Sequence, residues 1–291
     1  IYSILWDFAG QSVYYVTHPL FLTRRAIYFL VYDLSRNPSD KATPLVKQGV
    51  YKEFNADKYN LKTNFDYLDF WMSSLAALGD PETVLPYKKF PAVFLVCTHA
   101  DQPYCARDPV ELAKEIFGDL RTKPYGAHLF DVFCVDNTKS GTKPECEEIV
   151  RLRDGVRVVS KELPHVTEAI PIKWLKYEKA LRALKESDYK FISLVTAKEI
   201  ASKDCNINDN EIQTVLNFLH DLRVLIHFDD SPELSELVFL DIQWLIDVFK
   251  NVITVRAFRE EKNFAHLWKR LEIEGILEEK LLKHVWNPLI P

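Results

Sequence analysis

Asp7-Phe8-Ala9-Gly10-Gln11 places a carboxylate, a glycine and a side-chain amide in one short tract, directly after the apolar run at 1–6. At the carboxyl end of a strand, such a D-x-x-G tract suits phosphate chemistry. The Asp7 carboxylate can hold a water bound to Mg²⁺. Gly10, having no Cβ, lets its backbone N–H approach a terminal phosphate. Gln11 then stands where an amide can orient an attacking water. Taken alone, the tract reads as readily as an ordinary strand-to-turn junction.

Two further tracts add to it. Thr98-His99-Ala100-Asp101 follows the apolar run 92–97 and resembles [N/T]-K-x-D. A carboxylate at Asp101 can accept hydrogen bonds from the ring N–H and exocyclic amine of guanine, a donor pair that adenine lacks. The plainer reading makes Thr98 and Asp101 caps of the next turn. Val135-Asp136-Asn137-Thr138 follows another apolar run, where a loop can lend backbone N–H groups to the guanine carbonyl. All three tracts sit at carboxyl ends of expected strands, the edge at which parallel α/β sheets bind ligands. The expected ligand is GTP or GDP with Mg²⁺.

No G-x-x-x-x-G-K-[ST] occurs in the 291 residues. The phosphate loop ordinarily lies some tens of residues before D-x-x-G, and Ile1 is not a methionine, so it is expected upstream of this sequence. On that reading the 291 residues alone leave an apolar strand edge unpaired. They should then be poorly soluble and bind GTP no better than a non-cognate nucleotide.

The elements that must position these tracts divide at about residue 160. Residues 1–6, 26–32, 92–97 and 131–135 are short and dense in β-branched and aromatic residues, as buried parallel strands are. Helical spacing appears at 61–78, 110–117 and 144–163. Strands alternating with helices imply a three-layer parallel α/β domain. Residues 36–60 are polar and aperiodic and read as a surface excursion.

Beyond 164, helical patterns dominate. Asn208 can cap a helix with Glu211 at the reciprocal position, followed by an apolar face of Ile212, Val215, Leu216, Leu219 and Leu222. Residues 224–228 and 237–240 flank Asp229-Asp230-Ser231-Pro232 as two strands of a wing. Amphipathic helices are expected at 244–249 and 264–271. Helix, helix, strand, turn, strand is winged-helix order.

Charge weighs against nucleic acid as a partner. The chain carries a net −5, and residues 161–291 hold 18 Lys and Arg against 22 Asp and Glu, whereas a surface neutralising phosphates should be basic. No run approaches the roughly 18–20 apolar residues of a membrane span. Five scattered cysteines without a C-x-x-C pair argue against a disulfide framework or zinc site and favour a reducing, cytoplasmic setting. His18, His165, His220, His227, His266 and His284 show no ligand spacing.

The first tracts, with YYVTHPLFL at 14–22 and histidine in the lysine position of the base-reading motif, look like the Roc domain of the Roco family. IPIKW at 170–174, LNFLHDL at 216–222 and VFLDIQWL at 238–245 resemble the COR domain that follows it. Leucine-rich-repeat kinases and non-kinase Roco scaffolds share this module. The resemblance implies a partial Ras-like P-loop GTPase domain lacking its first strands over 1–160. An α+β COR domain with a winged-helix-like part would fill 161–291. It assigns Gln11 to the catalytic water, Asp7 to Mg²⁺ through water and Gly10 to the γ-phosphate. Thr98, His99, Asp101, Asp136 and Asn137 fall to the guanine pocket. Protein partners through COR, a second copy of the chain among them, are implied too. The alternative within the family is a scaffold that no longer hydrolyses GTP.

Overall fold

The computed structural model describes residues 5–8, 18–43, 46–48, 51–54, 61–79, 88–252 and 263–288. These form two compact units. One comprises Leu22–Thr43 and Asp57–Ile170, the other Ile1–Phe21, Pro44–Ala56 and Pro171–Pro291.

The chain enters the first unit at β1 (Ile27–Asp33). A short antiparallel hairpin of β2 (Val46–Gln48) and β3 (Tyr51–Phe54) follows and belongs to the second unit. The surface excursion expected at 36–60 thus contains a short hairpin. Strands of three and four residues are too short to register as a period.

The first unit continues with α1 (Asn64–Ala76), β4 (Ala92–Thr98), α2 (Pro109–Arg121), β5 (Leu129–Cys134) and α3 (Glu147–Glu162). Its sheet is parallel in the order β1-β4-β5, the α/β arrangement expected from alternating strands and helices. β4 is central, and Ala92 through Cys97 are all buried because both sheet faces are covered. Phe94, Val96 and Phe133 pack with Val159 of α3, joined by its half-buried Ile149, Leu152 and Val156. Buried Leu112, Ala113, Ile116 and Leu120 form the apolar face of α2, which lies against β5.

The helices begin where local chemistry starts them. Thr63 and Asp66 exchange side-chain and backbone hydrogen bonds in a capping box at α1. Asp108 accepts the amides of Val110 and Glu111 at 2.9 and 2.8 Å, with Pro109 opening α2.

The second unit contains α4 (Ile172–Glu186), β6 (Phe191–Ser193), α5 (Leu194–Cys205), α6 (Asp209–Asp221), β7 (Ile226–His227), α7 (Pro232–Ser235) and β8 (Leu237–Phe239). Three further helices are α8 (Ile242–Lys250), α9 (Ala265–Glu274) and α10 (Glu279–Trp286). The expected wing strands pair antiparallel, with the short α7 between them. The structure adds β6 to that ribbon, giving the order β6-β8-β7. Helix, strand, two helices and two strands complete a winged-helix-like unit.

Its core gathers Phe21, Ile226, Phe239, Ile242 and Leu245, with Phe8 and Leu20 packed against them. Tyr177 of α4 is fully buried and donates its hydroxyl to the Ala197 carbonyl of α5 at 3.1 Å. Only half of the reciprocal cap expected at α6 forms: Asn208 makes no side-chain capping bond, while the Glu211 carboxylate keeps a backbone hydrogen bond with Asn208. The same carboxylate bonds Lys173 Nζ at 2.5 Å and Trp174 Nε1 at 2.8 Å, tying α6 to α4.

The strand expected at 1–6 is likewise corrected as far as it is described. Leu5–Phe8 carry no strand pairing, and Leu5 and Trp6 are exposed. Residues 1–4 lie outside the described residues.

Candidate functional site

Three parallel strands end side by side, and their register decides which loops meet. Asp33 closes β1 opposite Thr98 of β4, and Cys97 of β4 stands opposite Cys134 of β5. The polar tracts expected to read a base begin at this edge.

The loop after β4 is held from both sides. Leu34 N–H donates to Thr98 O at 3.0 Å, and Val135 N–H donates to Cys97 O at 2.7 Å. Ala100 N–H then reaches Val135 O at 3.3 Å. Thr98–Asp101 and Val135–Asn137 are thereby brought together, as a shared binding edge requires.

His99 lies in the left-handed region at φ 58°, a conformation histidine adopts more readily than most residues but still uncommon. Its Nδ1 is 3.0 Å from Asp33 Oδ1 and 3.3 Å from Thr98 Oγ1. Thr98 Oγ1 in turn donates to the Tyr32 carbonyl at 3.2 Å. Asp33 also accepts from the Ser35 amide and hydroxyl at 2.9 and 2.6 Å and from Arg36 Nε at 3.3 Å. Burial pushes the Asp33 carboxyl upward. The Ser35 hydrogen bonds and the nearby His99 and Arg36 outweigh that and hold it below its usual range.

Asp136 is buried and organises the neighbouring loop. It accepts from Thr138 N at 3.0 Å and Thr138 Oγ1 at 2.5 Å, and pairs with Lys139 Nζ at 2.9 Å. The Thr138 hydroxyl and Lys139 keep its carboxyl below the ordinary value. The same pairing raises Lys139, to which Asp101 adds its own negative charge. Asp101 and Asn137 are both exposed on this edge. The arrangement offers an exposed carboxylate at Asp101 beside a turn fixed by Asp136, which suits a flat heterocycle with paired N–H donors.

Of the remaining expected site residues, one falls in the other compact unit and two are not described. Asp7 is exposed and belongs to the second unit, where its neighbour Phe8 packs against the Phe21 core. Gly10 and Gln11 lie outside the described residues. Among the described residues, no three His, Cys, Asp or Glu side chains gather to hold a metal ion. Cys97 is buried, and burial with the neighbouring Cys134 pushes its thiol up to about 12, so it is chemically quiet.

Asp33 and Lys139 were not singled out from the sequence. Asp33 ends a parallel strand on the same edge as Thr98, and an expected strand ending at residue 32 stopped one residue short of it. Lys139 follows Asp136 by three residues, the spacing of a turn.

Comparison with known proteins agrees with this architecture. The family model described as C-terminal of Roc, COR-A domain, matches residues 171–290. The model described as Ras of Complex, Roc, domain of DAPkinase, matches residues 1–60. Among curated relatives, the "Probable serine/threonine-protein kinase roco5" of Dictyostelium discoideum is 24% identical over 288 residues, 98% of this chain and 8% of that protein. The "Probable serine/threonine-protein kinase pats1" of the same organism is 23% identical over 290 residues, 98% of this chain and 7% of its own length. Cyclic GMP-binding protein C, also from Dictyostelium discoideum, is 20% identical over 285 residues, 97% of this chain and 9% of its length. The chain thus spans less than a tenth of these three relatives. A solved structure of Methanosarcina barkeri Roco2 RocCORdC bound to GDP shares the fold, with a TM-score of 0.58 and 17% identity over 96% of this chain and 66% of that one. No helix among the described residues is long and apolar enough to cross a membrane. The chain belongs to the Roco family, with Roc sequence at its start and a COR domain in its second half.

Proposed function

We propose that these residues form the base-reading part of a guanine-nucleotide switch, joined to a COR domain that relays its state. The carrying observation is the Ala100–Val135 hydrogen bond at 3.3 Å, which joins the two loops suited to a purine. On this reading residues 1–160 are the Roc domain and 161–291 the COR domain. Asp101 accepts the guanine N–H pair, while Thr98, His99, Asp136 and Asn137 shape the pocket around it. Asp7 holds Mg²⁺ through water, Gly10 meets the γ-phosphate and Gln11 orients the hydrolytic water. The GDP bound to the Methanosarcina barkeri neighbour supports the ligand class.

On this reading the protein acts in the cytoplasm as a GTPase. Protein partners, a second copy included, engage the COR domain. Any kinase activity, as the names of the Dictyostelium relatives suggest, resides in sequence beyond these residues.

Titration of the full-length protein with GDP and ADP in the presence of Mg²⁺ tests the reading. A preference for GDP of at least about tenfold, equal to 1.4 kcal/mol, is expected. Equal affinities would overturn it.

A further inference from the structure

His99 carries one ring nitrogen whose two neighbours can both be assigned. Asp33 is an ionised carboxylate and offers only lone pairs. Thr98 commits its single hydroxyl proton to the Tyr32 carbonyl at 3.2 Å, so it also faces His99 with lone pairs. Nδ1, 3.0 Å from Asp33 Oδ1 and 3.3 Å from Thr98 Oγ1, is surrounded by acceptors. A bare nitrogen there would repel both. Nδ1 must therefore carry the hydrogen, which leaves Nε2 as the ring nitrogen with the open lone pair.

We infer that Asp33 is the positioning residue of the base-reading loop, holding His99 as the Nδ1–H tautomer so that Nε2 is the atom the loop presents. The inference rests on the guanine reading for its functional meaning, and its geometry stands apart from it. Asp33 anchors three things at once: the end of β1, the Ser35 turn and the imidazole at left-handed φ. Where most base-reading motifs carry a lysine, this loop presents the lone pair of a ring nitrogen, an acceptor in place of a cationic donor. The carboxylate on the opposite nitrogen fixes which atom is presented. Arg36 is a further charged group in contact with Asp33, at 3.3 Å, and adds to the Ser35 hydrogen bonds that keep the carboxylate ionised.

Imidazole nitrogen NMR on the full chain tests this, with His99→Gln identifying the His99 signals. The expected result is Nδ1–H in the unmodified chain. Asp33→Ala should shift His99 to the Nε2–H form that a solvated imidazole favours. Asp33→Asn, whose side-chain oxygen still accepts, should restore Nδ1–H. An Nε2–H tautomer in the unmodified chain overturns the inference even where Asp33→Ala fails to fold. In the full-length protein Asp33→Ala should weaken GDP about three- to fivefold, the scale of one net hydrogen bond. GDP binding unchanged by that substitution also overturns it. Failure of the unmodified protein to bind GDP instead removes the guanine reading, and the tautomer alone then judges the hold of Asp33 on His99.

Discussion

The amide of Ala100 donates to the carbonyl of Val135 over 3.3 Å. These residues follow neighbouring parallel strands, and their hydrogen bond makes one surface of two loops. Asp101 lies one residue beyond the donor and Asp136 one beyond the acceptor. The two carboxylates play different parts: Asp136 is spent on its own turn through Thr138 and Lys139, while Asp101 is exposed.

That division predicts the effect of Asp101→Asn. The substitution replaces a double acceptor with one acceptor and one donor, which suits xanthine better than guanine. In the full-length protein GDP should weaken by about 10- to 100-fold, the range of a lost charged hydrogen bond, with xanthosine diphosphate gaining. Competition binding with both nucleotides measures this, and an unchanged GDP affinity would place guanine recognition elsewhere.

Gln11→Leu separates binding from chemistry. If the Gln11 amide orients the attacking water, the full-length protein should lose about 10-fold or more in GTP turnover. GDP affinity should stay the same. Single-turnover hydrolysis decides the matter, since unaltered turnover excludes the water-positioning role.

Glu211 predicts a pH dependence in the second unit. Hydrogen bonds from Lys173 and Trp174 keep its carboxyl below the ordinary 4.5. A carboxyl that titrates lower when folded stabilises the fold above the unfolded value and loses that effect as pH falls through the folded one. Glu211→Gln should therefore lower the urea midpoint at neutral pH, and the difference from the unmodified chain should shrink in acid. A constant difference at all pH values would show that the carboxylate charge is not the cause.

Gly126 tests the approach to β5. A Cβ there would stand 2.1 Å from the Arg121 carbonyl oxygen at the end of α2. Backbone must move to admit it, so Gly126→Ala should cost about 1–3 kcal/mol. Denaturant unfolding measures the loss. Because β5 leads into the Asp136 loop, GDP binding by the full-length protein should weaken with it.

Tyr177→Phe removes a hydroxyl that donates to Ala197 O at 3.1 Å inside the α4–α5 contact. It should cost about 0.5–1.5 kcal/mol, the net worth of one such hydrogen bond with its acceptor left buried.

Much of the fold was legible because its strongest signals are local. Runs expected as strands at 26–32, 92–97 and 131–135 became Ile27–Asp33, Ala92–Thr98 and Leu129–Cys134. Buried parallel strands are continuous apolar stretches, and the turn residues around them mark where they stop. Helices such as Pro109–Arg121 were visible through their apolar period and their starting proline. The hairpin at Val46–Gln48 and Tyr51–Phe54 was not, being too short to show a period. Glu211 was legible only in part, for a related reason. Its spacing from Asn208 is that of a cap, but spacing carries no record of a lysine and a tryptophan arriving from another helix.

The amino-acid sequence by itself determined which chemical groups stand at strand ends: Thr98, His99, Asp101, Asp136 and Asn137. It also determined the alternation that makes the sheet parallel. Only the tertiary structure decided that Asp33 meets His99, that Ala100 meets Val135, and that the ring hydrogen belongs on Nδ1. The reason is register. Asp33 faces Thr98 because β1 and β4 pair from Ile27↔Ala92 onward, and a slip of one residue would turn each side chain to the other face. Hydrogen bonds across a sheet depend on that alignment, and residues 66 positions apart carry no local trace of it.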